Sequence, residues 1–366
     1  MAETEAAKEI VCGKCGHRYS LPVSAAKKEK LCRNCVQPLS TGKRGLVKAG
    51  EMPVMKTIAK KFAPPTRAQL ELIEVAGTIR EQPDAAERAF MARQLVQCTL
   101  PHSNPGNVPL WKRSSGNTTL ALQPGIDIDT EKSIGYPYGT IPRLLLFWMV
   151  TEAVQTKSRR LVLGRSLAEF MRAVGLDPSR GGKRSDHRRL KDQMRRLFKC
   201  HISFNAEMDV NGAHGERWRN MEVAPDGELW WHPHPDQTAF WESWIELGEK
   251  FYEAILASPV PIDMRALRAL KRSPLALDLY AWVCFRAFVI VQKNQPPKFV
   301  SWRSLMQQLG AAYGTANDFQ KKAAPALRKI ATVYPGLKIG NAKGGFTMHA
   351  TRLAVQQKPG AKLLGS

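Results

Sequence analysis

Residues 136–208 decide the fold of this chain and read YPYGTIPRLLLFWMVTEAVQTKSRRLVLGRSLAEFMRAVGLDPSRGGKRSDHRRLKDQMRRLFKCHISFNAEM. The stretch predicts an apolar helix, a short strand over 161–164, a second helix and a glycine-rich turn. A basic amphipathic helix then runs into strands. This order of elements is typical of a winged helix-turn-helix domain, in which the basic helix takes the place of the recognition helix.

The basic helix, predicted over 185–198, has one apolar and one cationic face. From Leu190 onward, Met194, Leu197 and Phe198 recur at helical spacing and predict a buried stripe. The outer face and the preceding turn carry the side chains that we predict to contact DNA: Arg180, Lys183, Arg184, Arg188, Arg189, Arg195, Arg196 and Lys199. An arginine fork can bind a phosphate, or guanine O6 and N7, through two hydrogen bonds. The alternative is a solvated cationic face without a ligand.

The carboxyl-terminal half repeats this order of elements without repeating the sequence. An apolar helix over 274–291 and a strand over 299–302 precede a helix over 304–310 and a second basic helix over 317–334. The side chains predicted to contact DNA there are Lys321, Lys322, Arg328 and Lys329, with Lys343 in the turn between two later strands. Pro325 interrupts the second basic helix, and an interior proline costs about 3 kcal/mol. We therefore predict a kink or a new start near Ala324.

Four cysteines near the amino terminus have the spacing of a zinc site. Cys12, Cys15, Cys32 and Cys35 form C-x2-C-x16-C-x2-C, which can bring two pairs of thiolates to one tetrahedral metal. His17 is an alternative ligand, although a solvated loop histidine is the simpler interpretation. Four thiolates leave no open coordination position, so we expect a structural zinc ion that holds together a small module over 1–40.

Composition limits the class of partner and the cellular location. The 366 residues carry a formal net charge of +23, which attracts phosphate backbones or anionic membrane surfaces. The apolar run 141–150 is broken by Pro142 and Arg143 and is far shorter than the roughly 20 residues of a membrane helix. Glu3 and Glu5 follow Met1 where a signal peptide would be basic and then apolar. We therefore expect a cytoplasmic protein with reduced cysteines and no membrane partner.

These patterns together predict an α+β fold with two tandem winged helix-turn-helix domains after a zinc-ribbon-like module. Helices are predicted over 66–80 and 83–96, a strand over 118–123, and the strands of the first wing within 200–231. The expected organisation is a module at 1–40, a linker and helix at 41–82, winged-helix domains at 83–255 and 256–355, and a basic tail at 356–366.

Several long stretches resemble one known family. They are FMARQLVQCTLPHSNPG, GNTTLALQPG, PYGTIPRLLLFWMVTEAVQTKSRRLVLGRSLAEFM, RRLKDQMRRLFKC, LGAAYGTANDFQKKAAPALRKIATVYPGLKI and GGFTMH, spread between about residues 83 and 353. In these stretches the chain resembles the plasmid-encoded RepA replication initiators. The resemblance implies two winged-helix domains that bind repeated sites at a plasmid origin. It also implies origin opening, recruitment of the host replicative helicase or its loader, and, in some members, repression of their own promoter as dimers. The cysteine pairs lie outside the resemblance.

Two other functions remain open at this stage. One is a winged-helix transcriptional regulator without initiation activity. The other is a rolling-circle nickase, in which His232 and His234 would hold a metal and Tyr252 or Tyr280 would attack DNA. Gly182 and Lys183 do not form an ATP-binding loop, because Asp177 stands where its first glycine would be. We expect a DNA-binding protein that is not an enzyme.

Overall fold

The chain divides into two compact units, residues 1–64 and 65–366, in a computed structural model. The structure describes residues 7–11, 18–22, 31–32, 37–38, 64–179, 186–210, 213–230, 243–309 and 313–356. Helices and strands alternate throughout the second unit, so the chain has a mixed α+β fold.

The first unit contains two short antiparallel hairpins. Strands β1 (Ala7–Val11) and β2 (Arg18–Pro22) pair over five residues, and β3 (Leu31–Cys32) pairs with β4 (Gln37–Pro38). One Cys-x2-Cys pair follows β1 in the sequence, and the second begins in β3. Three of the four predicted zinc ligands, Cys12, Cys15 and Cys35, lie outside the described residues, and of Cys32 only the backbone is described. The zinc site stays a prediction.

The second unit begins with a capped helix and ends with a hairpin. Its helices are α1 (Arg67–Glu81), α2 (Arg93–Gln97), α3 (Thr140–Thr156), α4 (Leu167–Ala173), α5 (Asp186–Phe198), α6 (Glu249–Ala257), α7 (Met264–Leu270), α8 (Pro274–Gln292), α9 (Trp302–Leu309) and α10 (Ala316–Val333). Its strands are β5 (Arg88–Ala92), β6 (Trp111–Ser115), β7 (Thr118–Gln123), β8 (Ile126–Asp127), β9 (Lys132–Ser133), β10 (Arg160–Val162), β11 (His201–Val210), β12 (Ala213–Glu222), β13 (Asp226–Glu228), β14 (Trp244–Glu246), β15 (Pro259–Asp263), β16 (Lys298–Ser301), β17 (Leu337–Ala342) and β18 (Gly345–Ala350).

Local sequence signals explain where several helices begin. The Thr66 side chain accepts a hydrogen bond from the Gln69 backbone N–H while the Gln69 side chain accepts one from the Thr66 N–H, which forms a capping box for α1. Ser273 caps α8, and Pro274 occupies the first turn, where its missing N–H costs nothing. The hydroxyl of Thr315 accepts from the Asp318 N–H, 3.1 Å away, and starts α10.

Two apolar helices, α3 and α8, form the centre of the core. Most side chains of α3 are buried on every side of the helix, and the same holds for the first three turns of α8. By length and composition α8 could span a membrane, with a mean hydropathy of 1.7. However, 67% of that window is buried inside the protein, as expected of a core helix.

The two halves of the second unit share an order of elements but differ in their sheets. An apolar helix, a strand, a helix, a basic helix and a hairpin follow one another in both halves. In the carboxyl-terminal half, one sheet has the order β16-β18-β17. In the first half the hairpin β11–β12 joins β7 and β6 in the order β12-β11-β7-β6, whereas β10 pairs with β14. The first half is therefore more elaborate than the predicted simple wing.

The segment 83–96 does not form the predicted helix. It contains a short 3-10 turn, the strand β5 and the short helix α2. Strand β5 pairs antiparallel with β15, from Arg88 opposite Asp263 to Ala92 opposite Pro259. This pairing ties the two halves together, and α1 packs on both α7 and α10. The domain boundaries proposed at 82/83 and 255/256 stay predictions.

Candidate nucleic-acid interface

The first basic helix, α5, buries the stripe that its periodicity predicts. Leu190, Met194 and Leu197 are fully buried and Phe198 almost so, and the helix packs against α3. The opposite face presents the predicted cations Arg188, Arg189, Arg195 and Lys199 to solvent. Arg180, Lys183 and Arg184, from the turn before the helix, lie outside the described residues.

Two of the arginines exposed on α5 already have carboxylate partners. Arg195 Nη2 lies 2.7 Å from Asp127 Oδ2, and this hydrogen bond holds the pKa of the Asp127 carboxyl below its usual value. Arg189 Nη1 lies 3.1 Å from Asp186 Oδ1 at the start of the helix. Exposed pairs of this kind contribute about 0–1 kcal/mol. A phosphate can therefore displace either carboxylate at little cost.

Arg196 differs from the other predicted contacts because it is engaged on several sides. Its side chain is 19% exposed and donates through Nε to Asp192 Oδ2 at 2.9 Å. Its guanidinium also lies over the Tyr138 ring, 5.6 Å from the centroid. A Cβ at Gly135, whose φ is +87°, would collide with this guanidinium. Arg196 therefore holds the segment before α3 against α5, and a positioning role fits it better than a DNA contact.

The hairpin that follows α5 carries cationic and aromatic side chains that the sequence pattern did not single out. Strand β11 pairs with β7 only as far as Ala206, so the rest of the β11–β12 hairpin projects beyond that partner strand. Trp218 lies on the outer strand β12, opposite Asn205, and is 68% exposed. Its neighbours Arg217 and Arg219 lie on the other face of the strand, since side chains alternate. The sequence did contain a signal for this surface, namely RWR at 217–219 within a strand. A strand with this pattern exposes a large aromatic ring.

The second basic helix, α10, runs without a break through Pro325, so the predicted new start near Ala324 is wrong. Phe319, Ala323, Leu327 and Ile330 are buried and pack the helix on α8. The proline is exposed. Its ring therefore needs no space in the core, and water can satisfy the carbonyl that lacks a helical partner.

The predicted cations of the second half all lie on the surface. Lys321, Lys322, Arg328 and Lys329 are exposed on α10, and Lys343 is exposed in the two-residue turn between β17 and β18. Lys321 Nζ lies 3.2 Å from Asp318 Oδ1 within the helix. The face around Pro325 therefore presents a cationic surface at the same place in the order of elements as α5.

A buried ionic cluster joins α3 to α8, the two helices on which the basic helices α5 and α10 pack. Arg143 on α3 is 2% exposed, and its Nε and Nη2 each lie 2.7 Å from an oxygen of Asp278 on α8. Arg143 also donates to the carbonyls of Leu100, Pro101 and Gly139. His102 Nε2 lies 2.8 Å from Asp278 Oδ2.

Burial opposes the ionisation of Asp278, but the charge and hydrogen bonds of Arg143, helped by His102, hold its pKa to about 2. Burial also lowers the pKa of His102. Every donor of this cluster that is described has an acceptor, which is the condition for burying charge. In the sequence Arg143 was noticed only as a break in an apolar run. Nothing near it indicated its partner 135 residues later.

The structure describes the two tyrosines considered for a nickase but not the two histidines. Tyr280 is fully buried, with its hydroxyl 3.1 Å from the Asp263 backbone nitrogen, and burial raises its pKa well above the usual value. His232 and His234 lie outside the described residues. Within the described part of the chain, no group of three or more His, Cys, Asp or Glu side chains could hold a metal ion.

Residues 136–304 match the family described as "Plasmid encoded RepA protein". This region, which is somewhat less than half of the chain, is similar to that family. The matched region contains α5 and the β11–β12 hairpin and ends inside α9, so α10 and the last hairpin follow it. Among curated proteins, no match is found.

Two solved structures of domains 2 and 3 of RctB are similar to this chain. The first, of selenomethionine derivatives, has 13% identity and a TM-score of 0.40, and covers 69% of this chain and 95% of that one. The second has 14% identity and a TM-score of 0.38, and covers 69% and 94%. At these scores the similarity carries no functional argument.

Proposed function

We propose that this chain is a plasmid replication initiator that binds repeated sites at its origin through two winged-helix units. One observation carries the proposal. Helices α5 and α10 occupy the same position in the order of elements of their halves. Each of them buries an apolar stripe and exposes cations on the opposite side. The family match supports the same function.

In the second half, the proposed winged helix consists of α8, α9 and α10 with the sheet β16-β18-β17. The wing is the β17–β18 hairpin, with Lys343 at its tip. In the first half, α3, α4 and α5 form the helical part, and the long β11–β12 hairpin is the wing, with Arg217 near its projecting end. Each basic helix would lie in a major groove while its hairpin contacts the neighbouring backbone.

The chemistry of this interface follows from charge. Lysine and arginine side chains on α5 and α10 would replace counterions along the phosphates, which gives affinity without sequence preference. Base recognition would come from the few arginines that reach guanine edges. Asp127 and Asp186 would release Arg195 and Arg189 to the DNA, because phosphate oxygens offer the same hydrogen bonds as their carboxylates.

The remaining parts of the proposal concern partners and the amino-terminal unit. Many bound copies would open the adjacent DNA by binding energy rather than by nucleotide hydrolysis, so the protein would not be an enzyme. It would recruit the host helicase or its loader, act in the cytoplasm, and repress its own gene as a homodimer. Cys12, Cys15, Cys32 and Cys35 would hold a structural zinc ion.

The three other cysteines are poor candidates for metal ligands, so Cys12, Cys15, Cys32 and Cys35 are the candidate thiolates. Cys98, Cys200 and Cys284 are buried. Burial raises the pKa of Cys98 to about 11 and that of Cys200 to about 12, and it raises the pKa of Cys284 as well. A protonated thiol is a poor metal ligand. This donor chemistry supports the four-cysteine site.

A binding titration at several salt concentrations tests the proposal. Fluorescence anisotropy with a labelled duplex of the plasmid's own origin repeats should show tighter binding than a shuffled duplex at about 0.15 M salt. The log–log salt slope should be about −0.9 per neutralised phosphate. Replacing Arg188 on α5 and Lys199 just after it, or Lys322 and Lys329 on α10, by alanine should reduce the slope and the preference. Arg67→Ala on α1 serves as the control. Equal affinity for both duplexes would refute the proposal.

Plasmid maintenance separates initiation from promoter control alone. If the protein is an initiator, an origin plasmid should be lost when the gene is inactivated and retained when it is supplied on a second replicon. A regulator without initiation activity would be dispensable for copying, and survival of the plasmid would favour that function instead.

A further inference from the structure

A groove lies along the side of α10 that faces β17, next to the proposed DNA-contacting face. Its cavity volume is ≈ 440 Å³. The floor is apolar and consists of Ala324, Ala331 and Ile339, which are partly exposed, with buried Trp302 and Phe346 beneath them. A cavity of this size can hold one or two side chains of a ligand.

Two guanidinium groups stand at the rim of this groove. Arg80 comes from the last turn of α1 and Arg328 from α10, and both are exposed. Within the described part of the chain, neither side chain has an ion pair or a hydrogen bond, unlike Arg189, Arg195 and Arg196. None of the described residues that line the groove is acidic. The rim therefore favours a ligand that carries carboxylates.

The third wall of the groove is strand β17, which has a neighbouring strand on one side only among the described residues. Strand β17 is the outer strand of the order β16-β18-β17. Ala342 pairs with Gly345 across a two-residue turn, so these two residues exchange backbone hydrogen bonds with each other. From this pair onward, hydrogen-bonded and non-hydrogen-bonded pairs alternate along the hairpin. The N–H and C=O groups of Ile339 and Asn341 therefore point away from β18. Such an edge is a template for an added strand.

We propose that a partner protein docks here by adding a short extended segment to β17. The segment would place an apolar side chain in the groove and carboxylates against Arg80 and Arg328. Each wall then has a matching feature, since the floor is apolar, the rim is cationic and the edge offers backbone donors and acceptors. Duplex DNA matches only the rim, because phosphates fill no apolar cavity.

A random decapeptide library displayed on phage tests this surface with the full-length chain. Selection would run in parallel on the unaltered protein and on Arg80→Ala. Peptides retained by the unaltered protein alone should combine at least one apolar residue with acidic residues. A synthetic copy of such a peptide should bind about tenfold more weakly to Arg80→Ala, since one charge-assisted pair is lost. Arg67→Ala, at the other end of α1, should bind it equally well.

Two further measurements examine the apolar floor and the strand edge. Ala331→Trp should fill the cavity and abolish peptide binding, with circular dichroism confirming that the variant is folded. Bound peptide should slow hydrogen exchange at the amides of Ile339 and Asn341.

Several outcomes would overturn the proposal. One is that no peptide class distinguishes the unaltered protein from Arg80→Ala, and another is that peptides bind without protecting the β17 amides. If an oligothymidylate displaced the bound peptide as effectively as unlabelled peptide does, the rim would be assigned to nucleic acid. Self-association that sedimentation detects and Arg80→Ala removes would assign the groove to a second copy of the chain.

Discussion

Asp278→Asn removes the negative charge from the buried cluster while changing the shape of the side chain little. In the folded protein the carboxyl has a pKa of about 2 against an ordinary value of 3.8. At about 1.4 kcal/mol per pKa unit, the ionised form contributes about 2–3 kcal/mol to stability. The variant also leaves the Arg143 guanidinium without its counter-charge, and breaking a buried pair costs about 3–5 kcal/mol. We therefore expect a loss of about 3 kcal/mol at pH 7.

Urea unfolding followed by tryptophan fluorescence measures this loss, and its pH dependence tests the cause. Because the folded pKa of Asp278 is depressed, its contribution is present above about pH 4 and is lost as the pH falls towards 2. The stability difference between the unaltered protein and Asp278→Asn should shrink over the same range. Asp127→Asn, which breaks a more exposed pair with Arg195, should cost much less than Asp278→Asn. A loss below about 1 kcal/mol for Asp278→Asn, or a difference that does not change between pH 5 and 2, would refute this reasoning.

Three other predictions concern a glycine next to Arg196, an exposed tryptophan and the cysteine pairs. Gly135→Ala should cost about 1–2 kcal/mol in urea unfolding, because φ +87° strains a residue with a side chain and because the Arg196 guanidinium would have to leave Asp192 and Tyr138 to make room for the Cβ. Gly116→Ala, at φ +59° in open space, should cost less, and equal losses would contradict the packing argument. Trp218→Ala should change unfolding by less than about 0.5 kcal/mol yet weaken binding to origin DNA by about 1 kcal/mol, or about fivefold; unchanged anisotropy titrations would remove the hairpin from the interface. Elemental analysis of the purified chain should find one zinc ion, and Cys12→Ser should lose it; zinc retained by that variant would contradict the four-cysteine site.

The elements that the sequence predicted well are those whose signals are local. In α5, Leu190 and Met194 lie four residues apart among charged neighbours, so the buried face could be read from spacing alone. Strand β7 over Thr118–Gln123 matches its prediction in both bounds, because alternation and the flanking turns coincide there. In such segments the spacing of apolar residues along the sequence directly gives the face that is buried in the structure.

The elements that were missed depend on partners far away in the chain. Residues 83–96 could have formed an amphipathic helix, but β5 gains backbone hydrogen bonds from β15, about 170 residues later. No local pattern encodes such a partner, and tertiary pairing overrides propensity. The same reason hides the role of Arg143, whose carboxylate lies on α8. Arg217 and Trp218 were missed because their exposure depends on β12 being the outer strand of its sheet, and the local sequence does not encode that position.

The buried cluster has a consequence for how the two basic helices could act together. Helix α5 packs on α3, and α10 packs on α8. Arg143 and Asp278 join α3 to α8 directly, and β5 pairs with β15 across the same two halves. The basic helices are therefore mounted on one shared core rather than on two bodies joined by a flexible linker. A core that resists deformation fixes the separation of the two helices before any DNA is bound. Binding of the second helix would then cost no further conformational entropy for its orientation. If the proposed function holds, the spacing of the repeated sites that one chain can bind would depend on the packing of α3 against α8 as well as on the surface arginines.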